Sequence, residues 1–145
     1  MVEGLVRHRP AEVLCGIFQA WSVRDKAAVV AHFAADAVYC MILPTDVVPY
    51  GGETRGRASI SDRLQTILDH FDTVEFDGTV TKVAGDEVHG LARYTYRHKI
   101  TGEAIDAEFR IVAHVRDGLV VDFKEIHDIE KVRAFMRLIA YVAMR

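Results

Sequence analysis

Val112-Ala113-His114-Val115-Arg116-Asp117-Gly118-Leu119-Val120-Val121-Asp122-Phe123-Lys124-Glu125-Ile126-His127-Asp128 carries the strongest structural signal in the chain. Two runs rich in β-branched residues flank Arg116-Asp117-Gly118, a turn signal that predicts a hairpin closed by a type I turn and a left-handed glycine bulge. With Val115 opposite Leu119, counting outward pairs Ala113 with Val121, Ile111 with Phe123, Phe109 with Glu125, and Ala107 with His127. This face is apolar until Glu125 and His127. A carboxylate and an imidazole are costly on a buried strand face without partners, so these two are the first candidates for chemistry.

The strands upstream sharpen the reading. Leu91 to Ile100 divides into Arg93, Thr95, Arg97 and Lys99 on one face and Ala92, Tyr94, Tyr96 and His98 on the other, the inner one. Ala104 to Val115 places Ile105, Ala107, Phe109, Ile111 and Ala113 inward. A two-residue loop at Thr101-Gly102 pairs His98 with Ile105 and Tyr96 with Ala107, and sets Arg97 beside Asp106 outside. The two hairpins together predict rows Tyr94, Phe109, Glu125 and Tyr96, Ala107, His127, with small Ala107 leaving room between a phenol and an imidazole.

Alternation also runs through Thr73 to Val83 and Val88 to Ile100, so four antiparallel strands form a meander. Three helices precede it. Apolar spacing predicts the first over Ala11–Val23, with Pro10 at its start, and the second over Lys26–Ala34, capped by Asp25. A strand over Ala37–Ile42 and a loop or small hairpin over Thr45–Gly56 lead to a third helix over Ser59–Phe71, with Arg63 among its outer residues. A fourth helix covers residues 129–145, capped by Asp128, and its two-sided apolar character at Ile139, Ala140 and Val142 suits dimerisation. The fold class is α+β: a curved antiparallel sheet packed on three N-terminal helices, with an additional C-terminal helix.

A chain of 145 residues, half of them hydrophobic, suits one domain over 1–145. The net charge of −3 and scattered basic residues give no reason to expect nucleic acid. Cys15 and Cys40 form no Cys-x-x-Cys, and no His-x-His or His-Glu-x-x-His occurs, so neither a disulfide framework nor a metal site is expected. Met1–Pro10 has no apolar core, and Leu138–Met144 is too short to span a bilayer. A cytoplasmic protein without membrane partners is the expectation.

An inner sheet face lined by aromatics and covered by helices is the shape of a small-molecule pocket. Glu125 and His127 could supply an acid or a base there, and at a strand end they could equally form a structural hydrogen-bonded pair. The same two readings hold for His98, near a turn, and for Tyr94 and Tyr96, whose hydroxyls could meet a neighbour or a substrate. Trp21 reads as core, and His8, His32, His70, His89 and His114 are assigned nothing.

The order of elements, with Phe33-Ala34-Ala35-Asp36-Ala37-Val38-Tyr39 at the helix–strand junction, Thr54-Arg55-Gly56-Arg57-Ala58-Ser59-Ile60 opening the third helix and the closing Val115–Val120 hairpin, resembles the NTF2-like superfamily in its SnoaL-like and ketosteroid-isomerase-like branch. The resemblance covers about residues 11–128. It implies a cone of curved sheet closed by three helices, and a homodimer through the outer sheet face. It also implies activities ranging over isomerases, polyketide cyclases, dehydratases and epoxide hydrolases. The steroid isomerase residues do not carry over. Met41 stands where the general base would be, Ile111 where the oxyanion-hole acid would be, and Ile17 or Phe18 where the first-helix tyrosine would be. SnoaL-like cyclases keep polar catalytic groups at the end of the last strand, where this chain has Glu125, His127 and Asp128. Scytalone dehydratase is similar in fold and works with histidines and tyrosines, as His98, His127, Tyr94 and Tyr96 could.

The expected function is a cofactor-independent lyase or isomerase acting on a small apolar oxygenated molecule. His127 would move the proton, Glu125 would orient it, and Tyr96 or His98 would hydrogen-bond a carbonyl or hydroxyl. Ile17, Phe18, Trp21, Tyr39, Met41, Tyr94, Phe109, Ile111 and Phe123 would form the wall. The alternative is a non-catalytic ligand-binding or dimeric assembly module of the same fold.

Overall fold

A sheet order of β2-β1-β6-β5-β4-β3 brings the first long strand against the last one. The computed structural model describes residues 9–145, so His8 and the other preceding residues lie outside this account. In chain order the elements are α1 (Pro10–Ser22), α2 (Lys26–Ala31), β1 (Phe33–Ile42), β2 (Gly52–Arg55), α3 (Arg57–His70), β3 (Phe71–Ala84), β4 (Glu87–His98), β5 (Ala104–Arg116), β6 (Leu119–His127) and α4 (Ile129–Ala143). The fold is α+β, with a curved sheet packed on helices. All neighbours run antiparallel except β1 and β6, which are parallel.

Local chemistry sets the helix starts. Pro10 occupies the first turn of α1, where its missing N–H costs nothing. The Asp25 carboxylate accepts from the Ala28 N–H at 3.0 Å and caps α2. Asp128 does the same for α4, accepting from the Lys131 N–H at 3.1 Å. The second helix ends at Ala31 rather than Ala34, because Phe33 already opens β1 and buries its ring completely. The segment predicted as a loop or small hairpin is the hairpin, with Val38 to Met41 paired to Arg55 to Gly52.

Alternation predicts the inner faces of β4, β5 and the end of β6, but it fails at the start of β6, where Val120 is fully buried opposite Val115 in place of Leu119 and Val121; elsewhere both registers differ by two residues. Asp117 and Gly118 both have positive φ, 53° and 79°, which makes a two-residue turn of the primed kind that matches strand twist. Arg116 therefore faces Leu119. A bulge then places His114 opposite Asp122 and Val115 opposite Val120, so that Ala113 meets Phe123, Ile111 meets Glu125 and Phe109 meets His127. In the preceding hairpin the loop is longer than two residues. Arg97 pairs with Ala104, Tyr96 with Ile105 and Tyr94 with Ala107, and Thr95 rather than Arg97 lies beside Asp106. A shift of two preserves the inner and outer sets but changes every partner. Across the sheet the inner rows become Ala92, Phe109, His127 and Gly90, Ile111, Glu125, Met41.

The core fills the cone between the sheet and α1, α3 and α4. Phe33, Leu14, Ile60 and Ile111 are its most deeply buried large side chains. Two glycines let α1 approach closely: a Cβ on Gly78 would lie 2.2 Å from Phe18 Cγ, and one on Gly90 would lie 2.9 Å from Phe18 Cζ.

Candidate functional site

Strand β6 presents Glu125 and His127 on the inner face, two residues apart. Each side chain is 8% exposed. His127 Nε2 lies 2.8 Å from Glu125 Oε1, and the hydroxyl of Tyr39, from adjacent β1, donates to Glu125 Oε2. Both carboxylate oxygens thus have partners. His127 Nδ1 has none, and it is the single buried side-chain nitrogen or oxygen without a partner among the described residues. The imidazole stacks on Phe109 with centroids 4.7 Å apart and planes 22° apart, a contact created by the observed β5–β6 register.

This pair sits on the wall of a cavity of about 100 Å³. Of the expected wall residues, Ile17, Phe18, Trp21, Tyr39, Met41, Tyr94, Phe109 and Phe123 line it, together with Tyr96. Ile111 does not: at 1% exposure it is packed within the core, across from Glu125. His98 is also buried but lies off the cavity wall. Its Nδ1 stands 3.0 Å from Thr101 Oγ1 and accepts from the Thr101 N–H at 3.3 Å. His98 therefore serves the β4–β5 turn, whose Gly102 needs a positive φ of 78°. Tyr96 accepts a hydrogen bond from Trp21 Nε1 at 2.7 Å.

Tyr50, Leu43 and Val48 come from the segment leading into β2, and Val132, Phe135 and Met136 of α4 complete the wall. None of these was singled out by sequence pattern as lining a pocket, because which loop and which helix face close a cone depends on tertiary approach. Arg63 is a direct correction. Expected on the outer side of α3, it is only 8% exposed, and its guanidinium donates to the carbonyls of Gly52 at 2.8 Å, Gly51 at 3.3 Å and Tyr39 at 3.3 Å. It falls three residues after fully buried Ile60, on the same stripe, a spacing that could have shown it.

Electrostatics separate the polar groups of the wall. Burial is the main cause that raises Tyr39 well above its ordinary value, with Glu125 adding to the rise and Arg63 opposing it. Tyr94 and Tyr96 are raised by burial too, and Tyr50 is pushed up to about 12 by burial alone. All four phenols stay protonated through neutral pH, so they can donate but not act as bases. That leaves His127, which lines the cavity, as the group able to take a proton, with its lone pair on the buried, unpartnered Nδ1 when the ring proton is on Nε2 and donated to Glu125. Among the described residues no three His, Cys, Asp or Glu side chains converge as metal ligands would.

Fold and site together define a cone-shaped α+β protein with a largely apolar chamber and a carboxylate–imidazole pair in its wall. The chain belongs to the SnoaL-like domain family, which matches residues 16–123. No curated protein matches the sequence. Among solved structures it is similar to a candidate isomerase from Rhodopseudomonas palustris, 14% identical, covering 92% of this chain and 98% of that one with a TM-score of 0.76. A protein of ketosteroid isomerase-like fold from Catenulispora acidiphila, in complex with trimethylamine, is 21% identical over 86% of this chain and 91% of its own, with a TM-score of 0.69. TerC, co-crystallised with polyporic acid, is 19% identical over 90% of this chain and 98% of its own, at a TM-score of 0.71. These likenesses establish an NTF2-like fold. No helix among the described residues is long and apolar enough to cross a membrane.

Proposed function

We propose that this protein is a cofactor-independent acid–base enzyme of the lyase or isomerase type, acting on a small, largely apolar, oxygenated molecule in the cone cavity. The observation that carries the reading is the buried, unpartnered Nδ1 of His127, a residue that lines the cavity, with Nε2 beside Glu125 Oε1. A bare nitrogen there costs stability unless a ligand uses it. In the proposed step Nδ1 takes a proton from carbon next to a carbonyl. The C–H electron pair forms a C=C bond while the carbonyl oxygen gains the negative charge. Tyr94 or Tyr50 then donates its O–H to that oxygen, a service the neutral phenols suit. Returning the proton to another carbon completes an isomerisation, and loss of a β-hydroxyl as water, protonated by the imidazolium, completes a dehydration.

Size supports a small substrate. The cavity of about 100 Å³ is smaller than the ~150 Å³ apolar cavity known to admit a benzene ring. A steroid isomerase mechanism is disfavoured on this ground and because Met41, Ile111 and Ile17 or Phe18 stand where the resemblance would place its polar groups.

One observation favours the second reading, a binding module. The walls are almost wholly aromatic and aliphatic, and a relative of the same fold holds trimethylamine. A small amine could rest on the aromatic faces and donate its N–H to Nδ1. Thermal shifts against small enones, hydroxyketones and alkylamines, with turnover assays on every compound that binds, separate the two readings. Proton exchange or product from a carbonyl compound, lost in His127→Gln, supports the enzyme. Stabilisation by amines without turnover of any carbonyl compound replaces it with the binding module. A homodimer through the outer sheet face is part of the same proposal, and a monomeric mass in solution would remove it.

A further inference from the structure

Arg63 is a buried cation that the acid–base reading leaves unused. No ion pair among the described residues includes it, and its donors reach only the carbonyls of Tyr39, Gly51 and Gly52. Carbonyl dipoles solvate a guanidinium but bring no opposite charge, which makes its burial costly by itself. Its Cζ lies 5.4 Å from the centre of the Tyr39 ring. The hydroxyl at the other end of that ring donates to Glu125 Oε2, and Glu125 Oε1 meets His127 Nε2. Cation, phenol, carboxylate and imidazole stand in one line of contacts.

We infer that Arg63 and Tyr39 are positioning residues that keep Glu125 ionised and so hold His127 as the tautomer with its proton on Nε2 and its lone pair on Nδ1. This inference rests on the reading of His127 as the base. Glu125 Oε2 accepts from the Tyr39 hydroxyl and Oε1 lies beside Nε2, and with the ring proton on Nε2 only the ionised carboxylate accepts on both oxygens without supplying a proton of its own. A proton on Oε1 would be donated to Nε2 and send the ring proton to Nδ1. The unpartnered Nδ1 would then be a donor instead of a base. The charge of Arg63 disfavours that protonation of Glu125.

The other groups facing the pair are accounted for. Tyr94 and Tyr96 of β4 and Tyr50 before β2 are neutral phenols. Strand β5 brings Phe109, and α4 brings Val132, Phe135 and Met136, none of which titrates. Arg63, which reaches this network through the Tyr39 ring from behind the cavity lining, is the charge whose removal changes the balance.

The test is nitrogen NMR of the His127 ring in the ligand-free full chain, as wild type, Arg63→Gln, Arg63→Lys and Tyr39→Phe. Wild type is expected to carry its ring proton on Nε2 at neutral pH. Arg63→Gln is expected to raise the midpoint at which the pair takes up its next proton by about one unit or more, with Nδ1 gaining proton occupancy. Arg63→Lys restores the midpoint while stability stays low, since an ammonium cannot reproduce the fork of carbonyl bonds. Tyr39→Phe raises the midpoint as well. Wild-type tautomer and midpoint in folded Arg63→Gln overturn the inference, as does Arg63→Lys restoring stability but not the midpoint. Should Arg63→Gln fail to fold, an unchanged midpoint in Tyr39→Phe, which loses one oxygen and keeps its ring, overturns it. Because no ligand is present, the failures stay distinct. Absent turnover removes the enzyme reading and leaves the tautomer result standing, and an unchanged tautomer removes this inference and leaves any turnover standing.

Discussion

The indole N–H of Trp21 meets the hydroxyl oxygen of Tyr96 at 2.7 Å, a bond between residues 75 apart in sequence. It ties α1 to β4 in the wall of the cavity. Tyr96→Phe strands the N–H in the interior, and the expected cost is about 1–3 kcal/mol. Urea denaturation should show a lower midpoint with an unchanged slope, and adding Trp21→Phe should recover part of the loss. His127→Gln is expected to lower turnover of any identified substrate by roughly 10²–10⁴ fold, the range for a positioned base, with the thermal midpoint measured alongside to confirm that the variant is folded. The pairing of Glu125 with His127 was legible in the sequence because an inner-face carboxylate and imidazole interrupt a β-branched run. Tyr39 was legible only as a wall. Its hydroxyl's role depends on β1 lying beside β6, which no local pattern specifies, and the burial of Arg63 was hidden because a charge reads as solvated until carbonyls are found to receive it.

At the scale of elements, alternation settled which face of β4 and β5 is inward, but it missed Val120 at the start of β6 and left the partners open. The two-residue turn and the bulge near Val121 each move the β5–β6 register by one residue, and the longer loop after His98 moves the β4–β5 register by two; a net shift of two is invisible to a period of two. The Asp117-Gly118 turn was legible as a turn and not by type, since both a type I turn with a bulge and a primed turn accept those residues. The β4–β5 turn should be sensitive to acid. Burial, and then the neighbouring His70, hold His98 below its ordinary value of 6.5, so the folded state resists a proton that the unfolded chain takes up. Stability is therefore lost as pH falls below 6.5 toward the lowered folded value. His98→Asn should flatten thermal midpoints across that window. Packing of α1 on the sheet has its own probe. Gly78→Ala drives a Cβ to 2.2 Å from Phe18 Cγ, and the ring can yield only toward the cavity or by pushing α1 away. A loss of about 1–3 kcal/mol is expected, with weaker binding of any cavity ligand.

Across the whole molecule, one end of the sheet carries an exposed polar cluster unrelated to the cavity. Glu87 lies 2.5 Å from His89 Nε2 and 3.2 Å from His114 Nε2, and the bond from His89 is the first cause that lowers its carboxyl below the ordinary 4.5. The corresponding stabilisation is present above pH 4.5 and is lost as pH falls through the lowered value. Acid unfolding of Glu87→Gln should be less steep in that window than that of wild type, and an identical profile would remove this cluster from the account. The parallel contact of β1 with β6 sets a different limit, one of time. Tyr39 and Glu125 are 86 residues apart, so the chamber has no polar end until the last strand has been synthesised and has found its neighbour. Loop closure over that span is slow compared with forming the local hairpins. In refolding, strand signals should appear first and the titration of His127 in its native surroundings last. A chain halted before Leu119 would hold helices and a hairpin stack without a site.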